Sequence, residues 1–157
     1  MKILILGSGS FAGQALFSNL LFDGYEVFGI NRSAPKNYKY WPWVNDLDKN
    51  IKDRWYEINI NNHPEKIIEI INFIQPTHVI DFMGQGMVAQ SWEDPGLWYS
   101  TNISNKVLII ESIRKLKGLE KYVRASTPEV YGSSPQMINE SDAFNPSTPY
   151  AVSHCSI

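Results

Sequence analysis

Residues 2–13 restrict the possible fold more than any other stretch of this chain. Lys2 to Leu6 is a short apolar run stopped by Gly7, the pattern of a strand buried on both faces. A helix over Phe11–Phe22 follows, with Ala15, Leu16, Leu20 and Leu21 on or near one face and Gly24 just beyond as a C-terminal cap. Between them, Gly7-Ser8-Gly9-Ser10-Phe11-Ala12-Gly13 must turn tightly. Glycines permit that turn and let a pyrophosphate approach the helix N-terminus, while Gly13 lets the helix pack close to the strand. A glycine pattern alone is a weak signal. Flanked by this strand and this helix at the N-terminus, it becomes a specific one.

The alternation of short apolar runs and helical periods continues along the chain. Tyr25 to Ile30 reads as a second strand and Trp55 to Ile60 as a third. Residues 31–54 form a long polar loop, with a short helix near Asp46 to Ile51. Pro64 opens a helix to about Ile74, proline being suited to a first helical turn. Thr77 to Met83 is a fourth strand, ended by Gly84-Gln85-Gly86. Asp94-Pro95 caps a long helix to about Lys117, whose periodicity is carried by Leu97, Asn102-Ile103, Val107, Ile110 and Ile113-Leu116. Lys121 to Ala125 is a fifth strand, Ser126 to Ser147 a loop, and a last helix begins near Thr148. This order predicts an α/β, Rossmann-type doubly wound parallel sheet of order 3-2-1-4-5. Ligands in such sheets bind past the carboxyl ends of the strands, where Gly7, Asn31, Asn59, Gly84 and Ser126 all fall.

Composition narrows the partners. A chain of 157 residues is one domain or part of one, and 43% hydrophobic with 19% charged residues suits a packed core. A net charge of −2 with scattered basic residues argues against nucleic acid or an anionic membrane as the main partner. The small cluster Arg114-Lys115-Lys117 suits a helix C-terminus. No apolar run approaches the ~20 residues of a membrane span. Cys155 is the single cysteine, so no internal disulfide forms, which fits a reducing, cytoplasmic setting. No Cys/His spacing suggests a metal site. His63 reads as part of a helix cap and His78 as packed in strand 4, while Trp41 and Trp43 fit a packed loop or a lid.

Two further stretches carry chemistry. The end of strand 2 is Asn31-Arg32-Ser33, without the acid that would hold the ribose hydroxyls of NAD. Arg32 and Ser33 suit a 2′-phosphate instead, which favours NADP over NAD. Near the C-terminus, Ser126-Thr127-Pro128-Glu129-Val130-Tyr131-Gly132 precedes Pro149-Tyr150-Ala151-Val152-Ser153-His154. That puts a hydroxyl at the end of a strand and a phenol at the start of a helix.

Together these residues resemble the extended short-chain dehydrogenase/reductase family, and within it the NAD(P)-dependent nucleotide-sugar epimerases and 4,6-dehydratases. The likeness covers essentially the whole chain and corresponds to the first half of such an enzyme. The family's three phosphate-loop glycines match Gly7, Ser10 and Gly13, with Gly9 offering another register; Phe11 follows at the helix start. Its residues after strand 3 match Asn59 and Ile60, the latter against the adenine. Its strand-4 motif matches Met83-Gly84-Gln85, and its helix Thr-Asn matches Thr101-Asn102. The stretch Gly29-Ile30-Asn31-Arg32-Ser33 is similar to NADP-using GDP-mannose dehydratases.

The resemblance implies catalytic roles. Thr127 would hydrogen-bond the sugar's reacting oxygen, and Tyr150 would take the hydroxyl proton as hydride moves to nicotinamide. A free phenol titrates near ~10, so it needs a neighbouring charge to act at neutral pH. The family supplies a lysine four residues on; here that position is His154. Histidine is shorter and only conditionally charged, which implies weaker catalysis. Glu129 stands where 4,6-dehydratases keep an acid/base, and Pro128 where some carry aspartate, so dehydration and epimerisation both remain open. The resemblance also implies a homodimer through the 95–117 helix, to which Trp92 and Trp98 lie close, and a C-terminal substrate domain beyond these 157 residues. Without that domain the expectation is weak cofactor binding and no sugar turnover. Two functions follow: an epimerase or dehydratase in its N-terminal portion, or a non-catalytic dinucleotide-binding module.

Overall fold

A computed structural model describes residues 1–33 and 53–157. The helix expected near Asp46 to Ile51 and the tryptophans Trp41 and Trp43 lie outside the described residues. The chain divides into two compact units, residues 1–83 with 109–125, and residues 84–108 with 126–157.

The first unit contains the parallel sheet. Its strands are β1 (Lys2–Leu6), β2 (Glu26–Asn31), β3 (Trp55–Glu57), β4 (His78–Asp81) and β5 (Lys121–Arg124), in the expected order β3-β2-β1-β4-β5. Every neighbouring pair is parallel, with Leu4 opposite Phe28 on one side and Val79 on the other. Side chains along β1 alternate between two cores, as a strand buried on both faces requires. Leu4 and Leu6 join Ile30, Val79, Ile67, Ile71 and Ile74 of α2 (Pro64–Ile74), and Ile109 and Ile113 of α4 (Asn105–Arg114). Ile3 and Ile5 join Val27 and Phe17 of α1 (Phe11–Phe22) on the opposite face. Full burial of each such side chain contributes about 1.5–3 kcal/mol.

Local chemistry sets the helix ends. The Ser10 hydroxyl caps α1 by accepting from the Gly13 amide at 3.0 Å. At its other end Gly24 takes φ 80°, with Gly24 N–H bonded to Leu21 O and Tyr25 N–H to Leu20 O. This paired closure around a left-handed glycine is the one the sequence predicts. In α2, proline occupies the first turn and Ile67, Ile71 and Ile74 share the buried stripe.

β3 stops at Glu57, short of the predicted Ile60. Asn59 ends it: its Oδ1 accepts from Asn61 N at 3.0 Å and its carbonyl accepts from the Asn62 and His63 amides. An asparagine that bonds its own following backbone turns the chain out of the ladder.

The second unit is built on α3 (Pro95–Tyr99) and α5 (Pro149–Cys155), with short 3-10 turns at Ala89–Trp92 and Pro128–Tyr131. Asp94 caps α3 through Leu97 N at 3.1 Å, and Thr148 caps α5 through Ala151 N at 3.1 Å. The helix expected to be continuous over 95–117 is not regular. Residues Ser100–Ser104 form a π turn, and α4 ends at Arg114. The Ser100 and Thr101 hydroxyls both donate back to Leu97 O, at 3.1 and 2.7 Å, a local competition that loosens the regular α ladder.

Candidate functional site

In the first unit the glycine turn has no spare room. Gly7 sits at φ 75°, and a Cβ there would lie 2.7 Å from both Met83 N and Phe82 C. A side chain at Gly13 would strike the Gly7 carbonyl oxygen and the Ser10 hydroxyl, and one at Gly9 would strike the Asn31 side-chain amide. The N-terminus of α1 is thereby held against the end of β1, with Phe11 beside it 88% exposed. Ser8 is fully buried, and its Oγ has no hydrogen-bond partner among the described residues. Asn31 closes the end of β2 by donating from Nδ2 to Ser33 O at 2.8 Å, and Arg32 and Ser33 are exposed. These residues fit a dinucleotide pyrophosphate. The glycines let the turn pack tightly on the chain's own atoms, and the helix end offers N–H groups to an anion.

The other strand ends of this unit carry more buried chemistry. Asn59 is committed to its own turn, and Ile60 is buried in the core on the α2 face. Asp81, only 1% exposed, closes β4. Its Oδ1 accepts from Met83 N at 2.8 Å and its Oδ2 from the Tyr122 hydroxyl at 2.8 Å. Burial, and after it the Asp81 charge and hydrogen bond, push the Tyr122 phenol far above the usual phenol range, while Arg124 pulls the other way. Neither residue stands out in the sequence. The available signal is an acid ending an apolar strand, with a phenol in the neighbouring strand.

In the second unit a chain of hydrogen bonds through the buried Asn102 joins the turn after β4 to α5. Asn102 is completely buried on the π turn. Its Oδ1 accepts from Gln85 N at 2.7 Å, and its Nδ2 donates to Gln85 O at 3.0 Å and to Ser153 Oγ at 2.9 Å. Ser153 in turn donates to Tyr150 O at 2.7 Å. Gly84 lies beside the same amide, leaving 3.1 Å from a Cβ to Asn102 Oδ1. Asn102 thus holds the Gln85 backbone from behind. Asn102 is marked by its motif, whereas no sequence signal points to Ser153.

Thr127 caps the 3-10 turn by accepting from Glu129 N at 3.3 Å, which leaves its hydroxyl proton to donate elsewhere. It lines an open cavity of about 800 Å³ with Ser126, Tyr131, Ser134, Glu140 and Phe144. The cavity loop is fastened by Tyr131, whose hydroxyl donates to Ser141 O at 3.0 Å and accepts from Ser141 N at 3.1 Å. Glu129 and Tyr150 are not among the residues lining that cavity. Tyr150 and His154, one turn apart on α5, meet edge-on with ring centroids 4.7 Å apart at 62°. Among the described residues no group of three His, Cys, Asp or Glu side chains is placed to hold a metal. No helix among them is long and apolar enough to cross a membrane.

A parallel 3-2-1-4-5 sheet with a glycine turn after β1 is the dinucleotide-binding fold of the extended short-chain dehydrogenases/reductases, among the nucleotide-sugar epimerases and dehydratases. Residues 4–156 match the family described as GDP-mannose 4,6 dehydratase, and the chain belongs to that family. It is 31% identical to the GDP-mannose 4,6-dehydratase of Vibrio cholerae, with 96% of this chain aligned to 42% of that protein. The crystal structure of Thermus thermophilus UDP-glucose 4-epimerase in complex with NAD superposes with a TM-score of 0.79 at 26% identity, covering 99% of this chain and 48% of that one. The Thermotoga maritima UDP-glucose 4-epimerase with UDP-glucose gives 0.78 at 25% identity, covering 98% and 48%. The chain therefore spans under half the length of these relatives.

Proposed function

We propose that residues 1–157 are the dinucleotide-binding domain of an NAD(P)-dependent enzyme that moves hydride at a hydroxyl of a nucleotide-activated sugar, as an epimerase or a 4,6-dehydratase. The observation that carries this reading is the glycine turn, which packs on the chain's own backbone with no room for side chains and leads into the N-terminus of α1. Gly7, Gly9, Ser10, Phe11 and Gly13 hold the pyrophosphate, and Asn31, Arg32 and Ser33 hold the adenosine ribose. With no acid in that stretch, Arg32 favours the 2′-phosphate of NADP. Bound nicotinamide supplies the hydride acceptor. Thr127 donates its free hydroxyl proton to the reacting sugar oxygen, and Tyr150 takes the proton from the sugar hydroxyl. Glu129 is the acid/base available for loss of water. Asn102 keeps the Gln85 backbone rigid.

The GDP-sugar or UDP-sugar comes from the relatives, and the chain acts in the cytoplasm, as its lone cysteine suggests. Leu97, Tyr99, Val107 and Leu108 are exposed along 95–108 and suit a homodimer contact, which sedimentation checks. Mixing a protein that joins these residues to the C-terminal portion of the Vibrio cholerae relative with NADP and GDP-mannose, and separately with NAD and UDP-glucose, tests the chemistry through the absorbance of reduced nicotinamide. A transient in either mixture supports it; none, in a protein that binds the dinucleotide, removes it.

One contact favours a second reading. His154 lies against the Tyr150 ring edge and offers no permanent cation, which suits a module that binds the dinucleotide without turning it over. Replacing His154 with lysine separates the two, because only the catalytic reading gains rate.

A further inference from the structure

The geometry points to Asp81 and Tyr122 as positioning residues for the dinucleotide, a buried brace that fixes the wall against which the glycine turn closes. This inference rests on the dinucleotide reading above and concerns only the first unit. The wall is the Phe82–Met83 peptide. Gly7 lies directly on it, since a Cβ there would come within 2.7 Å of Met83 N and Phe82 C. The same Met83 N–H donates to Asp81 Oδ1 at 2.8 Å, while Phe82 N–H donates to Leu6 O at 2.8 Å. The Met83 N–H of this peptide is thus tied to the Asp81 carboxylate, and the preceding Asp81–Phe82 peptide is tied to β1.

The carboxylate is itself fixed across the sheet. Asp81 and Tyr122 stand on adjacent strands, with Val79 opposite Tyr122 and Asp81 opposite Arg124. The phenol reaches Oδ2 at 2.8 Å. A carboxylate 1% exposed needs such donors, because desolvation is otherwise costly. The upward shift of the phenol keeps its proton in place through the neutral and mildly alkaline range, so Tyr122 stays a donor there. Removing the brace frees the Phe82–Met83 peptide to move, and the turn then loses the surface that fixes its position at the start of α1. Pre-organised anion sites depend on that fixity.

Calorimetric titration of the 157-residue protein with NADP and with NAD tests this, run on wild type, Asp81→Leu, Asp81→Asn, Tyr122→Phe and a control, Ile74→Val. Ile74 is a buried residue of α2 in the core against which Tyr122 packs, so a loss of stability there without loss of affinity is the comparison a merely structural role would fail. Asp81→Leu removes the acceptor for Met83 N–H, and about tenfold weaker binding is expected. Asparagine keeps an acceptor there, so Asp81→Asn should stay within about threefold of wild type. Tyr122→Phe should weaken binding about threefold or more, and it decides the matter if Asp81→Leu does not fold. Unchanged affinity in Tyr122→Phe and in any folded Asp81→Leu protein overturns the inference. So does an equal loss in Ile74→Val. Wild-type protein that is folded yet binds neither dinucleotide removes the reading beneath it, a result separate from variants that bind as wild type does.

Discussion

Gly7 combines two constraints: a left-handed backbone at φ 75° and contact with the Phe82–Met83 peptide. Gly7→Ala should therefore abolish measurable dinucleotide binding and cost about 1–3 kcal/mol of stability, read by titration and by urea denaturation. An alanine variant that binds normally would mean the turn is not a phosphate site. The glycines were legible in the sequence because their spacing between a strand and a helix has a physical cause. Asp81 and Tyr122 were not, because their significance arises only when β4 and β5 pair and bury them together. Tyr122 also carries a pH prediction. Its folded pKa is raised well above that of an unfolded phenol, near ~10, so its stabilising effect is complete below that pH and is lost as pH rises above it towards the folded value. Tyr122→Phe should flatten the fall in stability above about pH 10.

At the level of elements, order and type followed from periodicity, while the ends followed from particular side chains. β1, α1 and α2 have the predicted bounds because an apolar run, a serine cap, a proline start and a left-handed glycine are local signals. β3 is short because Asn59 turns the chain, and the long helix is broken by a π turn at Ser100–Ser104. Apolar spacing alone conceals that break, since Leu97, Val107 and Ile110 keep a helical rhythm across it. What the π turn achieves is the placement of Asn102, with its three hydrogen bonds to Gln85 and Ser153. Asn102→Ala leaves the Gln85 backbone and Ser153 without these partners and should destabilise the second unit by about 2–4 kcal/mol in urea denaturation. Asn102→Asp keeps the bond from Gln85 N but turns a buried carboxylate oxygen toward Gln85 O, so it should lose at least as much. A smaller loss would mean that the Nδ2 bonds carry little weight.

For the whole molecule, two cores on opposite faces of one parallel sheet leave the strand ends at a single edge, where the glycine turn, Asn31 and Met83 fall within the first unit. The second unit brings together Gln85, Asn102, Ser153 and Tyr150, with Thr127 on its own cavity. The relatives place this combination among proteins that are more than twice as long. Everything proposed for sugar chemistry presupposes that the first unit takes a dinucleotide, so that is the measurement to make. Titrate the purified, monodisperse 157-residue protein with NADP and with NAD by calorimetry. Saturable binding at one site, tighter for NADP and with that preference reduced by Arg32→Ala, is expected. A folded protein that gives no binding heat with either, and no shift in its melting temperature, would contradict the assignment of the glycine turn to a dinucleotide.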